Sequence, residues 1–391
     1  MDRKDSVEHS VFRRVGDIYE RAVTTYDSNG QPHSEWKNIK RETIIDDNGK
    51  ESLRQIPAYD GAVVVPSHIN YKPIIGRFIN RYHPLEVQPK EGVFPTWQTL
   101  IQRVFGEQEK QGWEYLANLY QKPMQILPVL CLVSPENGTG KTSFANGLSI
   151  LFGQNIGFFG QSDLSNQFNV WLRSLVAVFE EINETDATLN KIKSASTARQ
   201  VTVNAKYQQQ VCFQPFVKVL ILSNNEKSFI RANQNDIRYW IRKLKPIPSN
   251  EFDPDFEDKL RIETPAVLYQ LGKMQLGKSR SRMFFSPEEI KTNSLLMVIS
   301  ESRSKCAKDL EIIIEEKTNE LGRWQANLSE IADLVGKRYT LSDVKNALKD
   351  ELGIKPSEKS IRYTSISGNS RTGRVYNFGA YNEGNSDSLP F

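Results

Sequence analysis

Gln125-Ile-Leu-Pro-Val-Leu-Cys-Leu-Val133 runs directly into Ser134-Pro-Glu-Asn-Gly138-Thr-Gly140-Lys141-Thr142, and a helical stretch from Ser143 to Phe152 follows. A buried strand, a glycine loop and a helix in this order make a cradle for phosphate. Gly138 and Gly140 let backbone amides turn toward an anion, and the new helix adds its positive end. Asn137 and Thr139 complete the loop, Lys141 is placed for β- and γ-phosphates, and the Thr142 hydroxyl for Mg²⁺. ATP and Mg²⁺ are therefore the expected cofactors. Pro135 stands where the usual motif opens on glycine, so loop entry differs while the phosphate-contacting half is complete.

Two further apolar strands follow. Leu175-Val-Ala-Val-Phe179 ends in Glu180-Glu181, and Val217-Lys-Val-Leu-Ile-Leu222 ends in Ser223-Asn224-Asn225. After a phosphate loop, the first acid suits Mg²⁺ and the second suits a general base for water. The Asn224 amide can hydrogen-bond the lytic water and γ-phosphate. Taken alone, acids after a strand are often a solvated turn, and Ser-Asn-Asn is ordinary turn chemistry.

The succession Asn137 to Thr142, strand plus Glu180-Glu181, and strand plus Ser223-Asn224 resembles the A, B and C motifs of superfamily 3 helicases. Lys191 to Tyr207 resembles the B-prime element of the primase-helicase branch found in phages, viruses and mobile elements, and Asn235-Asp236-Ile-Arg238-Tyr239 resembles its Asp-Arg-Arg-aromatic signature, with Ile237 replacing the first arginine. The match covers roughly residues 75 to 248. The resemblance implies an AAA+-type P-loop core that hydrolyses ATP as a homo-hexamer and unwinds single-stranded or forked DNA during replication of a phage, plasmid or mobile element. Within it, Thr142 and Glu180 hold the metal, Glu181 activates water, Asn224 is the sensor, and Arg238 is an arginine finger acting on the neighbouring subunit, with Arg242 the alternative. Lys206 and Tyr207, between the β-like runs Val201-Thr-Val203 and Val211-Cys-Phe213, would grip DNA at a hairpin tip by charge and stacking. An ATP-dependent loader or remodelling switch without processive unwinding is the alternative reading. A small-molecule kinase is disfavoured because no acceptor-lid motif is visible.

Composition bounds the rest. With 391 residues, 38% of them hydrophobic, the chain suits several packed domains. Its three cysteines form no CxxC pair and its four histidines no ligand spacing. No signal-like leader and no apolar run near the ~20 residues of a bilayer span occurs, so no membrane partner and a cytoplasmic location in a bacterial host are expected. The organisation read from the sequence is an α/β chain: residues 1–85 β-rich with hairpins, including Ala22–Tyr26 and Thr43–Ile45; 86–123 a helical oligomerisation pair; 124–248 the ATPase core with a parallel sheet; 249–325 helical, with one long helix from Ser294 to Leu321; 326–380 a winged-helix-like basic domain; and 381–391 a flexible acidic tail.

Between Lys337 and Arg374 nine Lys or Arg face four acids, a local surplus above the +4 of the whole chain. Arg371 and Arg374 are expected on the wing, and the domain suits duplex DNA or a protein partner. The chain ends on Leu389-Pro390-Phe391, which resembles the tip of bacterial single-stranded-DNA-binding proteins and implies docking to host replication factors.

Overall fold

The structure, a computed structural model, describes the chain outside residues 1–10, 27–29, 31, 166–168, 183–190, 193, 196–199, 204–210, 233–237, 278–281, 337 and 380–391. Lys206, Tyr207, Asp236, Ile237 and the Leu389-Pro390-Phe391 ending lie outside the described residues.

The protein is a mixed α/β structure centred on a five-stranded, wholly parallel sheet. Its strands are β8 (Val129–Val133), β9 (Ile156–Phe159), β10 (Val176–Glu180), β13 (Lys218–Ser223) and β14 (Tyr239–Lys243), in the order β14-β8-β13-β10-β9. Alternate residues point to opposite faces. Leu130, Leu132, Val178, Leu220 and Trp240 join one core, and Cys131, Ala177, Phe179, Ile221 and Ile241 the other. Burial on both sides is why these strands read as unbroken apolar runs.

The first face is covered by α2 (Pro95–Phe105), α3 (Glu109–Gln121), α4 (Lys141–Phe152) and α5 (Phe256–Lys273). The Glu263 carboxylate of α5 accepts from the Thr96 amide at 2.9 Å and the Trp97 amide at 3.2 Å, so an acid from one helix caps the positive end of another. Trp97, wholly buried, donates its Nε1 to Leu260 O at 2.9 Å. The second face is covered in part by α6 (Asn293–Glu301).

Ahead of the core, β1 (Phe12–Val15), β2 (Ile18–Tyr26), β3 (Pro32–Ile39) and β4 (Ala58–Tyr59) form a sheet in the order β3-β2-β1-β4, and β5 (Gly61–Val63), β6 (Ile74–Ile75) and β7 (Phe78–Asn80) a smaller one. Buried Glu20 of β2 ties them together, bonded to Arg13 at 2.6 Å and to Arg81 at 2.5 Å. Thr43–Ile45 is not a strand: it lies in α1 (Arg41–Asn48), where Ile44 is buried and Gly49, at φ 80°, ends the helix. Local β preference yields there to burial of one helical face.

The expected long helix is two, α6 and α7 (Lys305–Leu321). Ser304 starts the second by accepting from the Ala307 amide at 3.1 Å, while Ser302 Oγ donates to Val298 O at 2.7 Å. Two serines thus punctuate an apolar periodicity that by itself looks continuous. The following unit packs α7, α8 (Leu328–Val335) and α9 (Leu341–Asn346, continued by one wide turn over Ala347–Glu351) around Trp324, Ile331, Leu348 and Phe378. Its strands are β15 (Trp324–Ala326), β16 (Ile361–Thr364), β17 (Ser370–Gly373) and β18 (Tyr376–Phe378), with β15 paired to β18 and β16 to β17. No helix among the described residues is long and apolar enough to cross a membrane.

Candidate nucleotide-binding site

Because β13 lies between β8 and β10 and all run parallel, their carboxyl ends emerge side by side. Three segments distant in sequence therefore meet at one edge. An open cleft of about 420 Å³ is lined there by Asn137 to Ser143, Glu180, Glu181, Leu222 and Asn224. Every residue the sequence assigned to nucleotide, metal, base and sensor is in this cleft. Gly138 and Gly140 adopt φ of 65° and 88°, which side chains rarely tolerate, and α4 begins at Lys141 immediately afterwards.

Lys141 Nζ donates to Asn224 Oδ1 at 2.9 Å and to Ser134 O at 3.0 Å. Burial lowers the Lys141 pKa, and the negative charge of Glu181 opposes that. Glu181 Oε1 accepts from the Asn224 amide at 2.9 Å, and the Glu181 amide donates to Leu222 O at 3.0 Å. Glu181 has φ 48°, the only non-glycine among the described residues in the left-handed region. This conformation costs of order 1 kcal/mol or more and is held by those two bonds. Glu180 ends β10, exposed, one residue before it.

No group of three or more His, Cys, Asp or Glu among the described residues could hold a metal by itself. The oxygen donors lining the cleft include the Thr142 hydroxyl and the Glu180 and Glu181 carboxylates. Hard oxygen ligands with few carboxylates fit Mg²⁺, which keeps waters and arrives bound to phosphates.

Arg238 occupies the other edge of the sheet. Its carbonyl accepts from the Val129 amide at 2.7 Å, at the start of β8, whereas the glycine loop leaves the end of β8. Arg242 is engaged: its side chain, 12% exposed, donates to Val104 O at 3.1 Å and Gln108 Oε1 at 2.8 Å. It joins β14 to the α2–α3 turn and is poorly placed as a finger.

A segment beside the cleft escaped the sequence reading. After β14 the chain folds back over the glycine loop, the Ile247 amide donating to Gly138 O at 2.9 Å. Arg103 of α2 and Ile247 approach Gly140, and Arg103 bonds Glu251 at 2.8 Å. Phe252, next in the chain, is 73% exposed. An exposed aromatic in a polar loop was the available signal. Arg103 carried none, since it sits in an ordinary amphipathic helix.

Residues 132–239, from the end of the loop strand to the start of β14, match a family of unknown function, DUF5906. No curated protein matches. Among solved structures, the apo NrS-1 C-terminal region (305–718) aligns with 91% of this chain and 95% of its own at 14% identity, TM-score 0.60, and its A form with 93% and 94%, again at 14% identity, TM-score 0.61. The chain shares the fold of the NrS-1 C-terminal region. That likeness takes in the flanking units as well as the sheet, and at 14% identity it is a likeness of fold alone. A JCV helicase aligns with 59% of the chain and 66% of its own at 11% identity and TM-score 0.33, too little to bear on the argument.

Proposed function

We propose that the protein is an ATP-driven DNA translocase of the superfamily 3 helicase kind, acting as a ring in replication of a phage, plasmid or mobile element. The observation that carries this reading is the convergence of Lys141, Thr142, Glu180, Glu181 and Asn224 on one cleft at the carboxyl edge of a parallel sheet. The strand order supports an AAA+-type core, and the order helix, strand, two helices and hairpin after Ser304 supports a winged helix.

The acids and sensor fix the γ-phosphate end on the β13–β10 side. The nucleotide then extends the opposite way, toward Arg103, Ile247 and Phe252 on the β14 side. Lys141 exchanges its Asn224 contact for β- and γ-phosphate oxygens, which frees the Asn224 amide for the attacking water. Glu181, held in its left-handed conformation, takes the proton from that water. Bound Mg²⁺ would supply charge neutralisation for the phosphates, held by Thr142 and Glu180.

Arg238, at the opposite edge from its own loop, is suited to completing a neighbour's site, so hydrolysis would require assembly. The strands β11 (Val201–Val203) and β12 (Val211–Phe213) pair antiparallel within the segment joining the acid strand to the sensor strand. A hairpin hung between these two groups would follow the state of the nucleotide and carry Lys206 and Tyr207 along DNA.

The test is hydrolysis and unwinding of a fork by the wild type and Lys141→Ala. Hydrolysis stimulated by single strands, with strand separation, and loss of both in the variant are expected. Slow, unstimulated hydrolysis without separation would instead favour a loader or switch.

A further inference from the structure

We propose that the C-terminal unit reads duplex DNA with the exposed face of α9 and the outer cations of the β16–β17 hairpin and its exit. The inference rests on the winged-helix part of the reading above and not on the ATP site. α8 and α9 are joined through a turn containing Gly336 at φ 81°, the arrangement of a helix-turn-helix in which the second helix enters the major groove. Val344, Ala347 and Leu348 of the second helix and its extension are buried in the unit's core. Ser342, Lys345, Asn346 and Lys349, spaced i, i+3, i+4 and i+7, are all exposed and share the opposite face. Lysine and asparagine can hydrogen-bond guanine and adenine edges, and exposed Asp350, next to Lys349, is the one acid at the end of this stripe.

Three of the local acids are engaged elsewhere, whereas Asp333, Asp350 and Glu358 are exposed. Asp343 caps its own helix, accepting from the Thr340 amide at 2.9 Å and its hydroxyl at 2.8 Å. Glu351 accepts from the Ser304 amide at 2.6 Å and its hydroxyl at 2.9 Å, at the start of α7. Glu330 accepts from Tyr363 Oη at 2.6 Å and pairs with Arg371 at 3.0 Å. Arg371, expected on the wing, lies in β17 and ties the hairpin to α8 through a half-exposed ion pair. Among the described residues Lys345, Lys349, Arg362 and Arg374 take no ion pair. Exposed Lys345 and Lys349 on the helix face and Arg362 and Arg374 at the hairpin outnumber the exposed acids of the segment, Asp343, Asp350 and Glu358, so a positive surplus remains on the unit's surface. A helix of this kind fits the wide major groove of B-form DNA and not the deep, narrow one of double-stranded RNA, which selects DNA as the partner.

The experiment is fluorescence anisotropy of the full chain on a mixed-sequence DNA duplex, without nucleotide, over a salt series. Lys345→Gln/Lys349→Gln should weaken binding about 5- to 100-fold and reduce the salt slope by about 2. Arg362→Ala/Arg374→Ala should do the same, whereas Lys305→Ala, an exposed lysine at the start of α7, should leave both unchanged. The Lys141→Ala protein should bind the duplex as the wild type does, which separates this inference from the ATP-site reading. An unaltered salt slope in the Lys345→Gln/Lys349→Gln protein, or equal affinity for double-stranded RNA of the same length, would overturn it. Far-UV circular dichroism confirms that each variant is folded.

Discussion

Lys141 and Asn224 face each other across the cleft, the ammonium donating to the amide oxygen at 2.9 Å, while the Asn224 backbone amide is held by Glu181. The three residues form one unit although 40 or more positions separate each acid or amide from the lysine or from the other. Asn224→Ala should therefore lower kcat by roughly 10²- to 10³-fold with little change in ATP affinity. Glu181→Gln should bind ATP and lose roughly 10²- to 10⁴-fold in turnover. Combining them should cost little more than Glu181→Gln alone, because residues acting as a unit are not additive. Single-turnover kinetics decide it, and fully additive losses would break the unit apart.

In the proposed binding mode the nucleotide extends toward a wall made by Arg103, Ile247, Glu251 and Phe252, which leads to a different expectation. Phe252→Ala and Arg103→Ala should weaken ATP binding and reduce discrimination between ATP and pyrimidine triphosphates, leaving the response to Lys141→Ala intact. A loss of stacking is worth about 1–3 kcal/mol per base. Calorimetric titration with ATP, CTP and inorganic triphosphate reads it, and equal losses for all three ligands would place the wall away from the base.

Arg238→Ala should bind ATP yet hydrolyse it poorly. Mixing it with Glu181→Gln should restore part of the activity, since a mixed ring contains interfaces with one intact arginine and one intact acid. Turnover that shows neither rescue on mixing nor dependence on protein concentration would exclude a finger acting between subunits.

Lys206→Ala should abolish DNA-stimulated hydrolysis and unwinding while sparing basal hydrolysis, because in the proposed mechanism it grips the DNA backbone and not the nucleotide. Retention of full unwinding in this variant would remove the hairpin from the mechanism.

His68 supplies a pH dependence. Its Nε2 is bonded to Tyr82 Oη at 2.6 Å and its Nδ1 to Tyr120 O at 3.0 Å. Burial, and to a lesser extent the nearby charge of Lys218, pushes its pKa down to about 4. Between that value and the ordinary 6.5 of histidine, the unfolded chain binds more protons than the folded one, so stability rises with pH across this window. About 3 kcal/mol is thus lost as pH falls from 6.5 to 4. In denaturant titrations His68→Gln should show a flatter dependence over this range, and an unchanged slope would assign the acid lability to other groups.

The sequence by itself determined that a strand, a glycine loop and a helix stand in order, and which acids and amide end the neighbouring strands, because those signals are local: apolar period, glycine, and polar residues at strand ends. It also located the α2–α3 pair from apolar spacing. It could not decide that Thr43–Ile45 is helical or that Ser302 and Ser304 divide an apolar run into two helices. The two serines have partners far along the chain, Ala232 for Ser302 and Glu351 for Ser304. Strand order was likewise outside its reach, and that order brings Lys141, Glu181 and Asn224 together and puts Arg238 at the opposite edge. Charge followed the same division: the basic surplus of the last domain could be counted in the sequence, but only packing decided that Arg371 is neutralised by Glu330 while Lys345, Lys349, Arg362 and Arg374 face outward. Composition sums charges, whereas an electric field depends on which of them are paired.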